Sequence, residues 1–462
     1  MAGRKNSTFK SILVALLSVC AVIQTGMLWL DGSSGHNFFY YIKEKSLYKT
    51  DNSNPVEAIK PTDIYFGTGD GMFRKAENQY DIEKNCSEII KNAVHSDKLT
   101  QISAFDWSES LDGSCFVYEF DIPVPFNEYI SGIGESEKHM PSFLKTFTRI
   151  VISGNNSSSD GAKVYFVDTQ GEADTAAEYS SDNASAVSAS ISAAEKQIKE
   201  NPDSTVCIST ALSGFNIFSS NIFVPQFNLN QNVLFSAKEE KCIDFSLAAK
   251  DYIEEKTDQY FGKYSARNVT TEVSGVCTIS DSTTVVKCYP SGMLEYFSYG
   301  TDNTNENQSL SSAYYACIKF LKADTSLKTG YCLKDVTLTG EGLKFCFDYY
   351  AGSMPVILSD RLKEETGSSY ALEVTVNSNS VRKFKKYNSN FISSETADTA
   401  PTVDFLTAVN YAMALNGTDG AKINDISLGY YANGDSINIS WFVKIENTTY
   451  IVDALNGNIS IK

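Results

Sequence analysis

Histidine is scarce in this chain. Only His36, His95 and His139 occur in 462 residues, and no two share a helical metal-ligand spacing or an H-E-x-x-H segment. No G-x-S-x-G elbow and no S-x-x-K with its partner motifs is present. A histidine-dependent nucleophile would have to be assembled from distant residues. C-x-x-C is also missing, so neither a zinc knuckle nor a thioredoxin-like site is signalled. Gly67-Thr68-Gly69-Asp70-Gly71 resembles a phosphate loop, but Met72 stands where the third glycine belongs and no helix opens there, so it reads as a tight turn. Asp302, Thr304 and Glu306 mimic part of a calcium loop without its turn glycine or its bidentate glutamate, and read as a solvated linker. Paired carboxylates for glycoside hydrolysis are always available among 56 acidic residues, and nothing singles one pair out. The sequence therefore names no catalytic residue, no cofactor-binding residue and no metal ligand.

Positive charge is also in deficit. There are 39 basic residues against 56 acidic ones, a formal net charge of −17. Setting aside Arg4, Lys5 and Lys10 at the N-terminal tip leaves 36 basic residues and a net charge of −20. Such a surface repels phosphate polymers, which excludes nucleic acid as a partner and disfavours anionic headgroups.

One long apolar run stands out. Ser11–Leu30 holds 20 residues without a charge, directly behind the three basic residues of the tip. A helix needs about 20 such residues to cross the hydrocarbon, and the basic flank holds its near end in the cytoplasm. The expected arrangement is a cytoplasmic tip at 1–10, a transmembrane helix at 11–30, and the bulk of the chain outside the cell membrane. No Ala-x-Ala follows the run, and Trp29 suits the outer interface. A cleaved signal and lipidation at Cys20 are the alternatives. Ala15, Ser18, Ala21 and Thr25 place small residues on one face of the span, where a neighbouring helix could approach closely. A plain lipid-facing anchor accounts for them equally well.

Ten cysteines leave nine outside the span, an odd number that cannot all pair internally. Cys277 and Cys288 flank a turn and could face each other across a hairpin, as could Cys332 and Cys346. Buried free thiols are the simpler account.

The rest reads as α+β: a multi-domain ectodomain of antiparallel sheets, each covered by helices. After a connector at 31–56, we expect a domain at 57–205, a second at 206–300 and a third at 301–462. The first opens with a strand at Ile59–Phe66 and a helix at Asp81–Ser96 whose buried stripe is Ile82, Cys86, Ile89, Ala93 and Val94. Strands follow at Leu99–Trp107, Cys115–Ile122, Phe147–Ser153 and Ala162–Val167, then a helix at Ala184–Lys199. The second domain holds the Phe-rich stretch 214–235, which reads as core strands or as an interaction surface. It continues with a helix at Phe245–Phe261 and strands at Val269–Ile279, Thr284–Tyr289 and Met293–Tyr299. In the third, a helix followed by an antiparallel meander occurs twice, the helices starting at Ser309 and Thr402.

Two stretches carry a resemblance. Ile59-Lys60-Pro61-Thr62-Asp63-Ile64-Tyr65, with the single span and the length of the ectodomain, resembles the YycH family, regulators of the essential cell-wall two-component system of low-GC Gram-positive bacteria. The run Tyr450-Ile451-Val452-Asp453-Ala454-Leu455-Asn456-Gly457-Asn458-Ile459 is similar to the closing strand-turn-strand of YycH, YycI and PepSY modules. In it Asp453 can bond its own turn, Gly457 can take positive φ, and Ile451 and Ile459 can face the core. The resemblance implies a protein without enzyme activity or cofactor. It implies two membrane partners: a sensor histidine kinase of the WalK/YycG type and a YycI-like single-pass protein. The alternatives are a PepSY-like binding or inhibitory module and, without a supporting motif, an enzyme acting on the cell wall.

Overall fold

The computed structural model describes residues 57–461, leaving out 77–78, 97, 136–140, 155–161, 172, 182–188, 190–191, 194–195, 197–204, 227–233, 244–249, 262–265, 300–308, 353, 378, 397–401, 419 and 435. The expected span with Ala15, Ser18, Ala21 and Thr25, the connector, His36, His139, most of the helix at 184–199 and the acidic stretch around Asp302 lie outside the described residues. Among the described residues no helix is long and apolar enough to cross a membrane.

Alternating and doubly apolar strands build two large sheets. The first uses β1 (Asp63–Thr68), β2 (Met72–Lys75), β3 (Leu99–Ile102), β4 (Ser114–Pro125), β5 (Thr146–Gly154), β6 (Ala162–Asp168), β7 (Thr175–Ser181), β8 (Val206–Ser209) and β9 (Phe223–Pro225). Their spatial order is β3-β7-β6-β5-β4-β1-β2-β8-β9, with every pairing antiparallel. The central β4 is apolar on both faces because both are covered. Cys115 and Val117 enter a cluster with Tyr65, Phe73, Trp107 and Phe223. On the opposite face, helix α1 (Gln79–His95) packs over β6 and β7 and buries Cys86, Ile89, Ile90, Ala93 and Val94. Phe126, Phe147 and Phe166 pack edge to face, with ring centroids 4.7 Å apart for Phe126–Phe166 and 5.1 Å for Phe147–Phe166. Such pairs add roughly 0.5–1.5 kcal/mol each beyond the area they bury.

The second sheet has thirteen strands. These are β11 (Asn268–Thr271), β12 (Cys277–Ser280), β13 (Thr284–Cys288), β14 (Met293–Ser298), β15 (Gly330–Thr339), β16 (Gly342–Ala351), β17 (Met354–Leu358), β18 (Leu372–Asn377), β19 (Ser380–Tyr387), β21 (Ile423–Ala432), β22 (Ile437–Ile445), β23 (Thr448–Asp453) and β24 (Ile459–Ile461). Two further strands, β10 (Leu234–Lys241) and β20 (Ser389–Thr396), form a separate ribbon. Helix α5 (Leu310–Ala323) packs on β16, β18 and β19, and helix α7 (Phe405–Asn416) on β22 and β23. Ser309 and Asp404 cap these helices by accepting from the N–H groups of Ser312 and Thr407. Each of these two helices is followed in the chain by antiparallel strands. The two sets join edge to edge through β17 and β21, which run parallel, so this sheet is mixed where a purely antiparallel one was expected.

Several expected elements are corrected. The strand at Leu99–Trp107 stops at Ile102, because Asp106 accepts from the N–H groups of Ser108 and Glu109 and starts the short helix α2 (Trp107–Ser110). Val269–Ile279 is two strands, since Glu272 and Val276 close a turn with Gly275 at φ +87°. The helix expected over Phe245–Phe261 is described as α4 (Lys250–Thr257) followed by a 3-10 turn at Asp258–Tyr260. Two short helices went unread: α3 (Phe126–Gly132) and α6 (Asp360–Thr366). The boundaries drawn at 205/206 and 300/301 fall inside hydrogen-bonded sheets. Strands β8 and β9 extend the first sheet, and β14 pairs with β19.

A candidate binding cleft between the sheets

Three strand irregularities converge on one place. Register slips between Glu119 and Val124 in β4, between Leu333 and Asp335 in β15, and between Ile423 and Asp425 in β21. A bulge re-aims the side chain it carries. Here Asp121, Lys334 and Asp425 all line a cavity of about 570 Å³ between the first and second sheets. That volume lies within the roughly 300–1,000 Å³ of small-molecule sites.

The walls are charged and mostly self-paired. Lys334 Nζ lies 2.7 Å from Asp121 Oδ2 and ties β15 to β4. Lys75 Nζ lies 2.7 Å from Asp63 Oδ1 and 5.6 Å from the centre of the Tyr350 ring. Arg149 donates from Nε and Nη2 to Glu119 Oε1 at 2.9 and 2.6 Å, and from Nη1 to Ser220 Oγ at 3.2 Å. Ser220 in turn donates to Asp174, which also accepts from Trp107 Nε1 at 2.6 Å. The Arg149 guanidinium sits 5.4 Å over the Trp107 ring. Aromatic and apolar groups, among them Tyr65, Phe120, Phe223, Tyr370 and Phe442, fill the remaining lining.

Asp425 differs from its neighbours. Among the described residues no hydrogen bond or ion pair engages its carboxylate. Solvent reaches the side chain at the mouth, while protein crowds it on the cleft side. Burial, followed by the nearby Glu119 and Asp121 carboxylates, pushes its carboxyl up to about 6, against the opposing pull of Lys334 and Arg149. Burial alone would favour the neutral amine of Lys334, but Asp121, Cys332 and Asp348 outweigh it and hold the ammonium above the usual lysine range. The cleft can therefore receive a cationic group at Asp425 and exchange its own ion pairs for those of a ligand.

Two latches hold the sheets around this cleft. Ile423 accepts from the Ser219 N–H at 2.9 Å and donates to the Ile217 carbonyl at 2.9 Å, and Lys422 Nζ donates to the Asn216 carbonyl. Elsewhere Glu128 of α3 receives the N-terminus of α5. Its Oε2 accepts from the Ser311 N–H at 2.9 Å and from the Ser309 and Ser311 hydroxyls at 2.9 and 2.8 Å.

Of the residues weighed from sequence, the glycine-rich segment after β1 is a hairpin turn. Gly69 and Gly71 take φ +85° and +78°, Asp70 accepts from the Met72 N–H, and β2 follows instead of a helix. In the Phe-rich stretch, Phe218, Ile222, Phe223 and Val224 are buried, and Phe218 bridges to Ile423, so this described part serves as core and latch. His95 ends α1, largely exposed, with Nδ1 3.8 Å from Glu135. In the closing hairpin Asp453 Oδ1 accepts from the N–H groups of Leu455 and Asn456, and Gly457 takes φ +74°. Its register pairs Val452 with Ile459 and Ile451 with Ser460, so Ile451 and Ile459 point to opposite faces of β23 rather than to a shared core. Both Ile451 and Val452 are nonetheless buried, because β23 is covered on both sides. Cys277 and Cys288 stand opposite one another, whereas Cys332 and Cys346 are paired with Asp348 and Asp335. All nine described cysteines are free thiols.

The cleft residues were not anticipated. Each is a single charge in a strand and reads locally as part of a solvated face. The only signal was the break in alternation that each bulge produces, as at Asn424-Asp425 between Ile423 and Ile426.

The chain matches no protein-family model and no curated protein. Among solved structures it is similar to the crystal structure of YycH from Bacillus subtilis, with 14% sequence identity, a TM-score of 0.45, and coverage of 90% of this chain and 98% of that one.

Proposed function

We propose that this protein is a membrane-anchored, non-enzymatic regulator that binds and tunes a sensor histidine kinase of a cell-wall two-component system, alongside a YycI-like single-pass partner. The carrying observation is the uncharged run Ser11–Leu30 behind Arg4, Lys5 and Lys10, long enough to cross the hydrocarbon as a helix, which supports an anchor with the acidic body beyond the membrane. The resemblance of the Ile59–Tyr65 and Tyr450–Ile459 stretches to the YycH family supports the same reading. Regulation of this kind is a coupling free energy: the protein must bind one kinase conformation better than the other. Contact through the span uses the face of Ala15, Ser18, Ala21 and Thr25. The ion-paired cleft is then a sensory or docking site on the body.

The test is a scrambled-span variant in which residues 11–30 keep their composition but lose that face, compared with wild type for co-purification with the kinase and for kinase output. Loss of both, with the body still exported, is the expected result. Unchanged signalling overturns the proposal. A stand-alone PepSY-like module in residues 401–462 is less favoured, because β21 in that segment is hydrogen-bonded to β17 and bridged to Phe218 outside it.

A further inference from the structure

We propose that the cleft binds an organic ammonium: a primary amine on an apolar body, its N–H groups donating to Asp425 and its charge facing Glu119 and Asp121 of the opposite sheet. This rests on the reading of the cleft as a sensory or docking site. Strand register builds the two walls. On the first sheet Asp63, Glu119 and Arg149 stand on one rung across β1, β4 and β5, so their side chains share a face, and Tyr65 shares it two residues along β1. On the second sheet Asp425 and Ser427 of β21 stand opposite Lys444 and Phe442 of β22, again on one face. All of these groups line the cavity.

The charges of the lining leave one place open. Asp63, Glu119, Asp121, Asp348 and Asp425 face Lys75, Arg149, Lys334 and Lys444, five carboxylates against four cations. Lys75, Arg149 and Lys334 are already held by Asp63, Glu119 and Asp121. Lys444 stands opposite Asp425 in the ladder but is exposed, and among the described residues no ion pair joins the two. Asp425 therefore confronts Glu119 and Asp121 from the other sheet, while Arg149 and Lys334 are engaged by those two. Like charges brought together from separate elements repel, and a bound cation relieves the repulsion. The walls decide which cation fits. Among the described residues no three carboxylate, histidine or cysteine groups gather closely enough to hold a metal ion. An ammonium needs one close carboxylate, and aromatic faces attract it. Phe442 lies one rung-pair along from Asp425 on the same face, and on the other wall Tyr65 stacks on Phe223 with ring centroids 4.4 Å apart. These rings seat the apolar body. An anionic ligand would have to displace carboxylates from cations that are already paired.

A primary ammonium reaches the cleft either as a small free amine or as a lysine side chain of a peptide. The test titrates purified full-length protein in detergent, at neutral pH and low salt, with benzylamine and with Nα-acetyllysine methylamide by isothermal calorimetry. Benzyl alcohol and Nα-acetylnorleucine methylamide are the uncharged controls. Binding of an amine without its control, weakened about tenfold or more in D425N and retained in D425E, is the expected result. Tighter binding of the capped lysine assigns a peptide source, and tighter binding of benzylamine a free amine. D425N keeps the shape of the side chain, and a thermal melt close to wild type separates lost binding from lost folding. Controls that bind as well as the amines, amine binding indifferent to D425N, or no binding of either amine overturns the site. Kinase output is read separately. A cleft that binds amines in a protein without effect on the kinase refutes the regulatory reading and leaves the site standing, whereas a kinase regulator that binds neither amine refutes the site alone.

Discussion

Lys334 and Asp121, each set in a strand irregularity of a different sheet, meet across the cleft with Nζ 2.7 Å from Oδ2. Both side chains are partly open to solvent, at 22% and 31% exposure, so the pair is worth less than a buried one. K334M and D121N should each lower stability by about 1 kcal/mol or less, and the double variant should cost little more than either single change. Urea unfolding of the three variants measures this, and additive losses would show that the two groups do not act on each other.

Asp425 should titrate near pH 6 in the folded protein, well above an ordinary aspartate. With the folded value raised, the native state holds a proton that the unfolded chain has released, so stability falls as pH rises from about 4 to about 6. D425N removes that slope without replacing it. Carboxyl-carbon NMR titration reads the midpoint, and unfolding midpoints across this window read the slope. A midpoint near 4 would place Asp425 in open solvent. In the same window any cationic ligand of the cleft should bind more weakly as pH falls.

Beneath the second sheet, Lys386 Nζ lies 2.8 Å from Asp324 Oδ2, with both side chains 1% exposed. Asp324 also accepts from the Tyr260 hydroxyl, Gln259 Nε2 and Ser326 Oγ. Burial works against its charge, but Lys386 and these donors overcome it and hold the carboxyl below the usual aspartate range. K386M strands the carboxylate and should cost about 3–5 kcal/mol at neutral pH, whereas K386M combined with D324L should recover much of that loss. Because the Asp324 carboxyl is depressed, its contribution is present above pH ~4 and is lost as pH falls through the folded value. Guanidinium unfolding of both variants at pH 7 decides it.

Glu128 offers a second way to separate the sheets. E128A removes the acceptor of three bonds from Ser309 and Ser311 and should cost about 2–3 kcal/mol. E128Q keeps an acceptor and should cost less. Hydrogen exchange at the first turn of α5 should rise in E128A before exchange in β4 does. Equal rises in both would mean that the latch and the first sheet open as one unit.

Gly342 takes φ +130°, and an added Cβ would stand 2.2 Å from the Val376 carbonyl oxygen. G342A therefore has to displace backbone where β16 meets β18, and should unfold several degrees below wild type in a thermal melt. G340A, in the same turn with open space around it, should be nearly neutral.

What the sequence disclosed followed from periodicity and caps. The stripe of Cys86, Ile89, Ala93 and Val94 was readable because helix α1 covers only one face of its sheet. The Asp453 turn was readable because Asp and Gly at that spacing have few other uses. Strands β8, β9, β17 and β20 are short or take their partners from far along the chain, so no local pattern announces them. The α3 segment begins directly after Pro125 inside an apolar run, which hides a helix start in what reads as strand. The cleft was illegible for a related reason: its charges come from β1, β2, β4, β5, β15, β16, β21 and β22, and only the tertiary arrangement brings them together.

The parallel junction of β17 with β21 sets an order of assembly. Two adjacent strands that run the same way cannot be joined by a tight turn, and the chain between them carries α6, three strands and α7 before it returns. The bridge from Phe218 to Ile423 closes a longer loop still. Neither the second sheet nor the cleft can be completed until residues beyond 423 have emerged from the ribosome, so a nascent chain waits with Phe215 and Phe218 lacking their later partners Phe405 and Ile423. Chaperone demand during biogenesis should accordingly peak late, when all but the final forty residues have been made.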